Sequence, residues 1–303
     1  MNARVLQTIY DQRQSITGTV KEVYNFLRGS SLQRCDGISV PRDLFCVLKR
    51  RYGMAKAFCY LPHETCFIKI AFGEKGAQEI EEELQALAFV EKKGPKKITP
   101  ATLSSHVSNN VSWITSKLVS GSRGDQHVTF PEVCHLLNRI YTHWGKKKEP
   151  AETYLDGIEE AVSQLERATT APLRLLSRLR TVFEGETILT THTHGDLGPS
   201  NILQSENGLL LIDWSTLAVR SASYDAFELI RRRRTIEEAV KRVRRNFKQV
   251  RLLLSDELTS HKALAYYGLA LLEHEIEMNA YLRSQSRIRD YNKKQFNYVF
   301  SLL

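Results

Sequence analysis

The stretch THTHGDLGPSNILQSENGLLLIDW, Thr191 to Trp214, constrains the fold of this chain more than any other. Its apolar run Leu209-Leu210-Leu211-Ile212 follows the turn signal Glu206-Asn207-Gly208, and Asn201-Ile202-Leu203 opens a short run before that turn. Two β-rich runs joined through Asn-Gly predict a hairpin. Upstream, Thr187-Ile188-Leu189-Thr190 reads as a strand leading into His194-Gly195-Asp196. Asp196 and Asn201 then sit on the loop before the hairpin, with Asp213 at the end of its return strand. Three oxygen-bearing groups can converge there, and a hard divalent cation such as Mg²⁺ selects such donors while leaving positions for substrate phosphates.

The rest of the chain supplies two unlike halves. From Ala55, AKAFCYLP and TCFIKIAF read as a hairpin turning through His63-Glu64, with Lys69 between Ile68 and Ile70 on its second strand. A helix of good formers follows, EKGAQEIEEELQALAFVEKK, on which Glu83, Leu87 and Val90 share a face. A basic loop, KKGPKKITP, leads to SWITSKLVSGSRGD, a short strand dissolving into Gly and Ser that reads as a hinge. Helices are expected near Pro131 to His143, Glu149 to Ala168 and Ala171 to Glu184, and again from Tyr224 onward. The fold class is therefore α+β and bilobal. Residues 1–34 are expected as an N-terminal helical brace, 35–118 as a small β-rich N-lobe, and 119–303 as a mostly helical C-lobe.

HGDLGPSN followed by IDW resembles the catalytic loop and metal-binding aspartate of the aminoglycoside phosphotransferase and choline kinase family, relatives of the protein kinases. The resemblance implies a protein-kinase-like fold and a phosphotransferase using Mg²⁺ and ATP, with GTP as the alternative nucleotide. It implies Asp196 as the base or orienter of an acceptor hydroxyl, His194 as a brace of the loop, Asn201 as a metal ligand, and Asp213 as the main Mg²⁺ ligand. Lys69 would neutralise phosphate oxygens with Glu83 holding it extended, although Glu79, Glu81 and Glu82 compete for that place. Asp225, in Tyr224-Asp225, matches an element whose aspartate is mainly structural. The chain also departs from the protein-kinase pattern. It has no GxGxxG, it carries Gly198 where a Ser/Thr protein kinase has a lysine, and Asp213-Trp214-Ser215 lacks the DFG glycine. With Asp225 so soon after Asp213 there is no room for a long activation segment, so a small molecule or glycan hydroxyl is the expected acceptor.

Composition bounds the alternatives. The 303 residues carry 42% hydrophobic and 25% charged side chains, enough for a buried core. Apolar runs fall far short of the roughly 20 residues of a membrane span, and a cytoplasmic location is the expectation. Five cysteines, with no CxxC pair, read as reduced thiols. The net charge of +9 is concentrated between Leu229 and Leu254, where ten Lys and Arg residues face two glutamates. That segment reads either as a solvated helix face or as a surface for an anionic partner, with Arg231, Arg232, Arg233 and Arg234 as candidates for docking on an anionic inner membrane face. Nucleic acid is disfavoured as a partner. The basic segment favours a sugar or anionic acceptor over an aminoglycoside, against which stands the acidic trio Glu273, Glu275 and Glu277. Tyr266, Tyr267, Tyr281, Tyr291 and Tyr298 could frame a cationic ligand, and His192 with His194 could ligate zinc; core packing is the ordinary role of such residues. The competing class is a non-catalytic pseudokinase or binding protein that uses the 229–254 segment for nucleic acid, membrane or protein contact.

Overall fold

A computed structural model describes residues 45–303 apart from 52–53, 62–65, 110, 118, 120, 124–127, 166–169, 233–234 and 282–285. The expected helical brace at 1–34 lies outside the described residues. The described chain divides into two compact units, one running to Leu84 and resuming over Pro100–Val119, the other formed by Gln85–Thr99 and Ser120–Leu303.

The first unit is built on a five-stranded antiparallel sheet in the order β1-β2-β3-β5-β4, with β1 Phe45–Arg51, β2 Met54–Leu61, β3 Cys66–Phe72, β4 Thr102–His106 and β5 Val111–Lys117. Central β3 pairs with β2 on one side and β5 on the other, and Ile68, Ile70 and Ala71 are fully buried. A central strand covered on both faces needs such a nearly continuous apolar run. Edge strand β4, TLSSH, has no such pattern, because main-chain bonds to β5 alone hold it. Helix α1, Gly73–Lys93, leaves β3 directly and continues into the second unit.

The second unit holds two three-stranded sheets among helices. One has the order β11-β8-β7, from β7 Lys147–Pro150, β8 Thr187–Thr193 and β11 Ala218–Ser221. The other has the order β10-β9-β6, from β6 Gly121–Arg123, β9 Ile202–Ser205 and β10 Gly208–Leu211. The Gly-Ser stretch read as a dissolving hinge therefore includes a strand: Gly121, Ser122 and Arg123 stand opposite Ser205, Gln204 and Leu203. The helices are α2 Phe130–Trp144, α3 Ala151–Ser163, α4 Thr170–Val182, α5 Tyr224–Arg231, α6 Ile236–Val250, α7 Ser260–Tyr281 and α8 Ser286–Leu302. Thr129 and Glu132 form a reciprocal capping box at the start of α2, and Thr235 with Glu238 repeats it at α6. Buried Leu264, Ala265, Leu269 and Leu272 carry α7 through the core, against α4, α6 and α8.

Candidate active site

The loop after β8 is shaped by one buried carboxylate. Asp225, in the first turn of α5, is wholly buried and accepts three hydrogen bonds. The amides of His194 and Gly195 donate to its Oδ2 and Oδ1 at 2.7 and 2.9 Å, and the Tyr141 hydroxyl donates to Oδ2 at 2.7 Å. Burial, with Asp225 beside it, holds the Tyr141 phenol well above its ordinary pKa and therefore protonated. Gly195 has φ +85°, and a Cβ there would run into the Thr216 carbonyl, so this turn requires glycine. Its neighbour His194 is buried, and burial lowers its pKa and keeps the ring neutral. Nε2 lies 2.9 Å from the Ile212 carbonyl and so carries the hydrogen that donates to it. The ring thereby joins the loop after β8 to the residue preceding Asp213.

Asp196, Asn201 and Asp213 are gathered by the same short segment. Asn201 Nδ2 donates to the Asp196 carbonyl at 2.8 Å and lies 3.2 Å from Asp196 Oδ2. This fixes the amide with Oδ1 directed away from Asp196. The Ile212 amide donates to the Asn201 carbonyl at 3.0 Å, bringing the two ends of the β9–β10 hairpin together beside Asp213. Asp213 has φ +66°, a left-handed conformation that costs a non-glycine residue on the order of 1 kcal/mol and gathers at functional positions. Asn201 Oδ1 and the Asp213 carboxylate are hard oxygen donors of the kind Mg²⁺ takes, so the chemistry of the donor set fits that ion.

In the first unit, Lys69 on β3 reaches two glutamates of α1: its Nζ lies 2.5 Å from Glu83 Oε2 and 3.3 Å from Glu79 Oε1, all three side chains being buried. Glu79 and Glu83 are one helical turn apart and share a face. Glu81 is exposed, and Glu82 accepts from Gln78.

Several residues read as candidate ligand contacts do other work. His192 packs its ring 4.3 Å from Phe89, so it and His194 serve separate partners. Tyr266 and Tyr267 are buried against Phe183 and Phe227, because α7 is a core helix. The side chains of Tyr281 and Tyr291 lie outside the described residues. Glu273 turns inward, accepting from the Ser221 amide and hydroxyl at 2.7 and 2.8 Å and from Tyr154; Glu277 accepts from Tyr224 at 2.9 Å and pairs with Arg220 at 3.1 Å. Burial raises the pKa of both glutamates. Of the four arginines considered for membrane docking, Arg231 is turned inward onto Glu228 at 2.8 and 3.0 Å, and Arg232 onto Asp196; Arg233 and Arg234 lie outside the described residues. Among the described residues of the 229–254 segment, the exposed basic side chains are Lys241, Arg244, Arg245 and Lys248, a stripe on α6 opposite buried Ala239, Val240 and Val243. Sequence reasoning missed Tyr141 and Arg232, which lie 84 and 36 residues from their aspartate partners and carry no local signal.

Sheet, helical unit and loop together define a protein-kinase-like α+β fold of the kind found in small-molecule phosphotransferases. A thermostable mutant of aminoglycoside phosphotransferase APH(4)-Ia, in a ternary complex with AMP-PNP and hygromycin B, matches with a TM-score of 0.59 at 11% identity, over 89% of this chain and 96% of its own. The GDP complex of an aminoglycoside 2′-phosphotransferase-IIIa mutant matches at 0.57 and 13% identity, over 93% and 96%. Choline kinase LicA from Streptococcus pneumoniae matches at 0.52 and 15% identity, over 82% and 90%. No family model matches the chain, and no curated protein matches it in sequence.

Proposed function

We propose that this chain is a kinase that transfers the γ-phosphoryl group of ATP, with GTP as the alternative, to a hydroxyl of a small molecule or glycan. The observation that carries this reading is that Asn201 bonds Asp196 through its amide side chain and Ile212, the residue before Asp213, through the main chain, after a loop held by buried Asp225. A non-catalytic binding protein has no need of that set. Phosphoryl transfer asks for positioning and charge neutralisation more than covalent chemistry. Asp196 would orient the acceptor hydroxyl and take its proton. Asn201 and Asp213 would hold Mg²⁺, which when bound neutralises phosphate oxygens. His194 would keep the loop registered to the hairpin, and Lys69, steadied by Glu83 and Glu79, would pair with nucleotide phosphates. Glu273 and Glu277 are spent on internal hydrogen bonds, which supports a sugar or anionic acceptor over a polycationic aminoglycoside. The α6 stripe of Lys241, Arg244, Arg245 and Lys248 favours contact with an anionic surface as a second property of the chain. Among the described residues no helix is long and apolar enough to cross a membrane.

The test is a thermal-shift titration with ATP and GTP, with and without Mg²⁺, on the wild type and Asp213→Ala. A ligand that binds only the native state at 100 times its Kd stabilises it by about 2.7 kcal/mol. A Mg²⁺-dependent shift that Asp213→Ala abolishes is the expected result. No shift with either nucleotide refutes the kinase reading and turns attention to a pseudokinase or binding role.

A further inference from the structure

The loop from His194 to Asn201 contains no lysine or arginine, yet negative charge gathers on the phosphoryl group that meets Asp196 in such a reaction. The structure brings a cation from elsewhere. Arg232, in the turn after α5, directs Nη2 at Asp196 Oδ1, while Asn201 Nδ2 lies 3.2 Å from the other carboxylate oxygen. Its guanidinium lies over Gly198, where an added Cβ would come within 3.0 Å of Nη1, Cζ and Cδ of the arginine. Glycine at 198 and arginine at 232 therefore occupy complementary space. Behind the arginine, Glu228 Oε2 lies 3.6 Å from Nε, and Glu228 is itself buried and fixed by Arg231. The Arg232 and Asp196 side chains are 26% and 40% exposed, so an incoming ligand can reach both. An ion pair this open to water adds little to stability, and a purely structural role accounts poorly for it.

We propose that Arg232 is a catalytic residue that binds the non-bridging oxygens of the transferring phosphoryl group, supplying from the α5–α6 turn the charge that the loop itself lacks. This rests on the phosphotransferase reading. The acceptor oxygen bonds to the γ-phosphorus as the bond from that phosphorus to the β–γ bridging oxygen breaks. The electron pair leaves with the nucleoside diphosphate, and the acceptor proton passes to the Asp196 carboxylate. Arg232 remains charged throughout, and its planar fork suits first the carboxylate and then two phosphoryl oxygens.

The experiment follows phosphate release from Mg-ATP by the full chain, with water as acceptor, and the calorimetric Kd for Mg-ADP. The variants are Arg232→Gln, Arg232→Lys and the double substitution Gly198→Lys with Arg232→Gln, each checked by its melting temperature. Arg232→Gln is expected to lower kcat by about 100-fold or more, with KM and Mg-ADP affinity changed by less than about threefold. Arg232→Lys should fall between it and the wild type. Lysine at 198 should restore at least about tenfold of the loss, which a structural role for Arg232 would not allow. A kcat for Arg232→Gln within about threefold of wild type overturns the proposal while leaving the kinase reading intact. So does a folded double variant no faster than Arg232→Gln. A wild-type chain that neither binds nor hydrolyses the nucleotide overturns both together.

Discussion

Replacing Asp225 with asparagine tests whether one carboxylate holds the loop after β8. Its three partners are all donors: the amides of His194 and Gly195 and the hydroxyl of Tyr141. Asparagine keeps the shape but offers a single acceptor oxygen. If that oxygen takes the Oδ2 position, His194 and Tyr141 stay bonded and the Gly195 amide faces an NH₂ group. A buried donor left unmatched costs about 1–3 kcal/mol, and the two surviving bonds weaken by about 1 kcal/mol each once the acceptor is neutral. The sum is about 4 kcal/mol, a large part of the 5–15 kcal/mol that separates folded from unfolded domains. Urea unfolding followed by circular dichroism reads it directly, and phosphate release from Mg-ATP should fall as the loop loses its register. A variant within about 1 kcal/mol of wild type would show that Asp225 is not the anchor the geometry makes it.

Acidification provides a second test. Burial pulls the His274 imidazole down to about 4, although Glu228 lies 3.3 Å away and pushes it back up; Arg231 Nη2, 2.8 Å from Nε2, matches a neutral ring that accepts there. The unfolded chain, with an ordinary histidine near 6.5, binds more protons in that window, so this contribution is intact above about pH 6.5 and up to about 3 kcal/mol is lost by pH 4. Urea midpoints from pH 7.5 to 4.5 should fall less steeply in His274→Gln than in the wild type, and parallel profiles would reject the assignment. Lys69→Met removes the cation from between two buried carboxylates and should cost about 3 kcal/mol in urea unfolding as well as Mg-ATP affinity; a loss below about 1 kcal/mol would contradict the burial of that cluster.

The parts of this molecule that sequence made legible are those whose chemistry is local. The β9–β10 hairpin announces itself through an Asn-Gly turn between apolar runs, and central β3 through the nearly continuous apolar run CFIKIAF. Helices α2, α3 and α4 follow from their apolar periodicity, with boundaries off by a few residues. Strands β4, β6, β7 and β11 were not legible: they are short, polar or glycine-containing, and tertiary pairing alone makes them strands. In the site, the loop and hairpin residues stand in one readable segment. What each charged group faces could not be read from that segment. Glu273, Arg231 and Arg232 looked like surface charge because a linear pattern does not reveal that α7 is buried or that the turn after α5 folds back onto Asp196.

Within the second unit, the hairpin that follows Asn201 and leads to Asp213 is clamped by β6 against β9 and by the Leu211 amide donating to the Ile98 carbonyl at 2.8 Å. Both clamps are made of main-chain atoms, so almost any side chain satisfies them and proline is the residue they chiefly forbid. Side-chain changes that leave this main chain in place therefore leave the pairing itself intact, although Ile98 is also buried in the core. Architecture secured in this way outlasts resemblance in the letters, and shape comparison finds the same fold at 11–15% identity where sequence comparison finds no match.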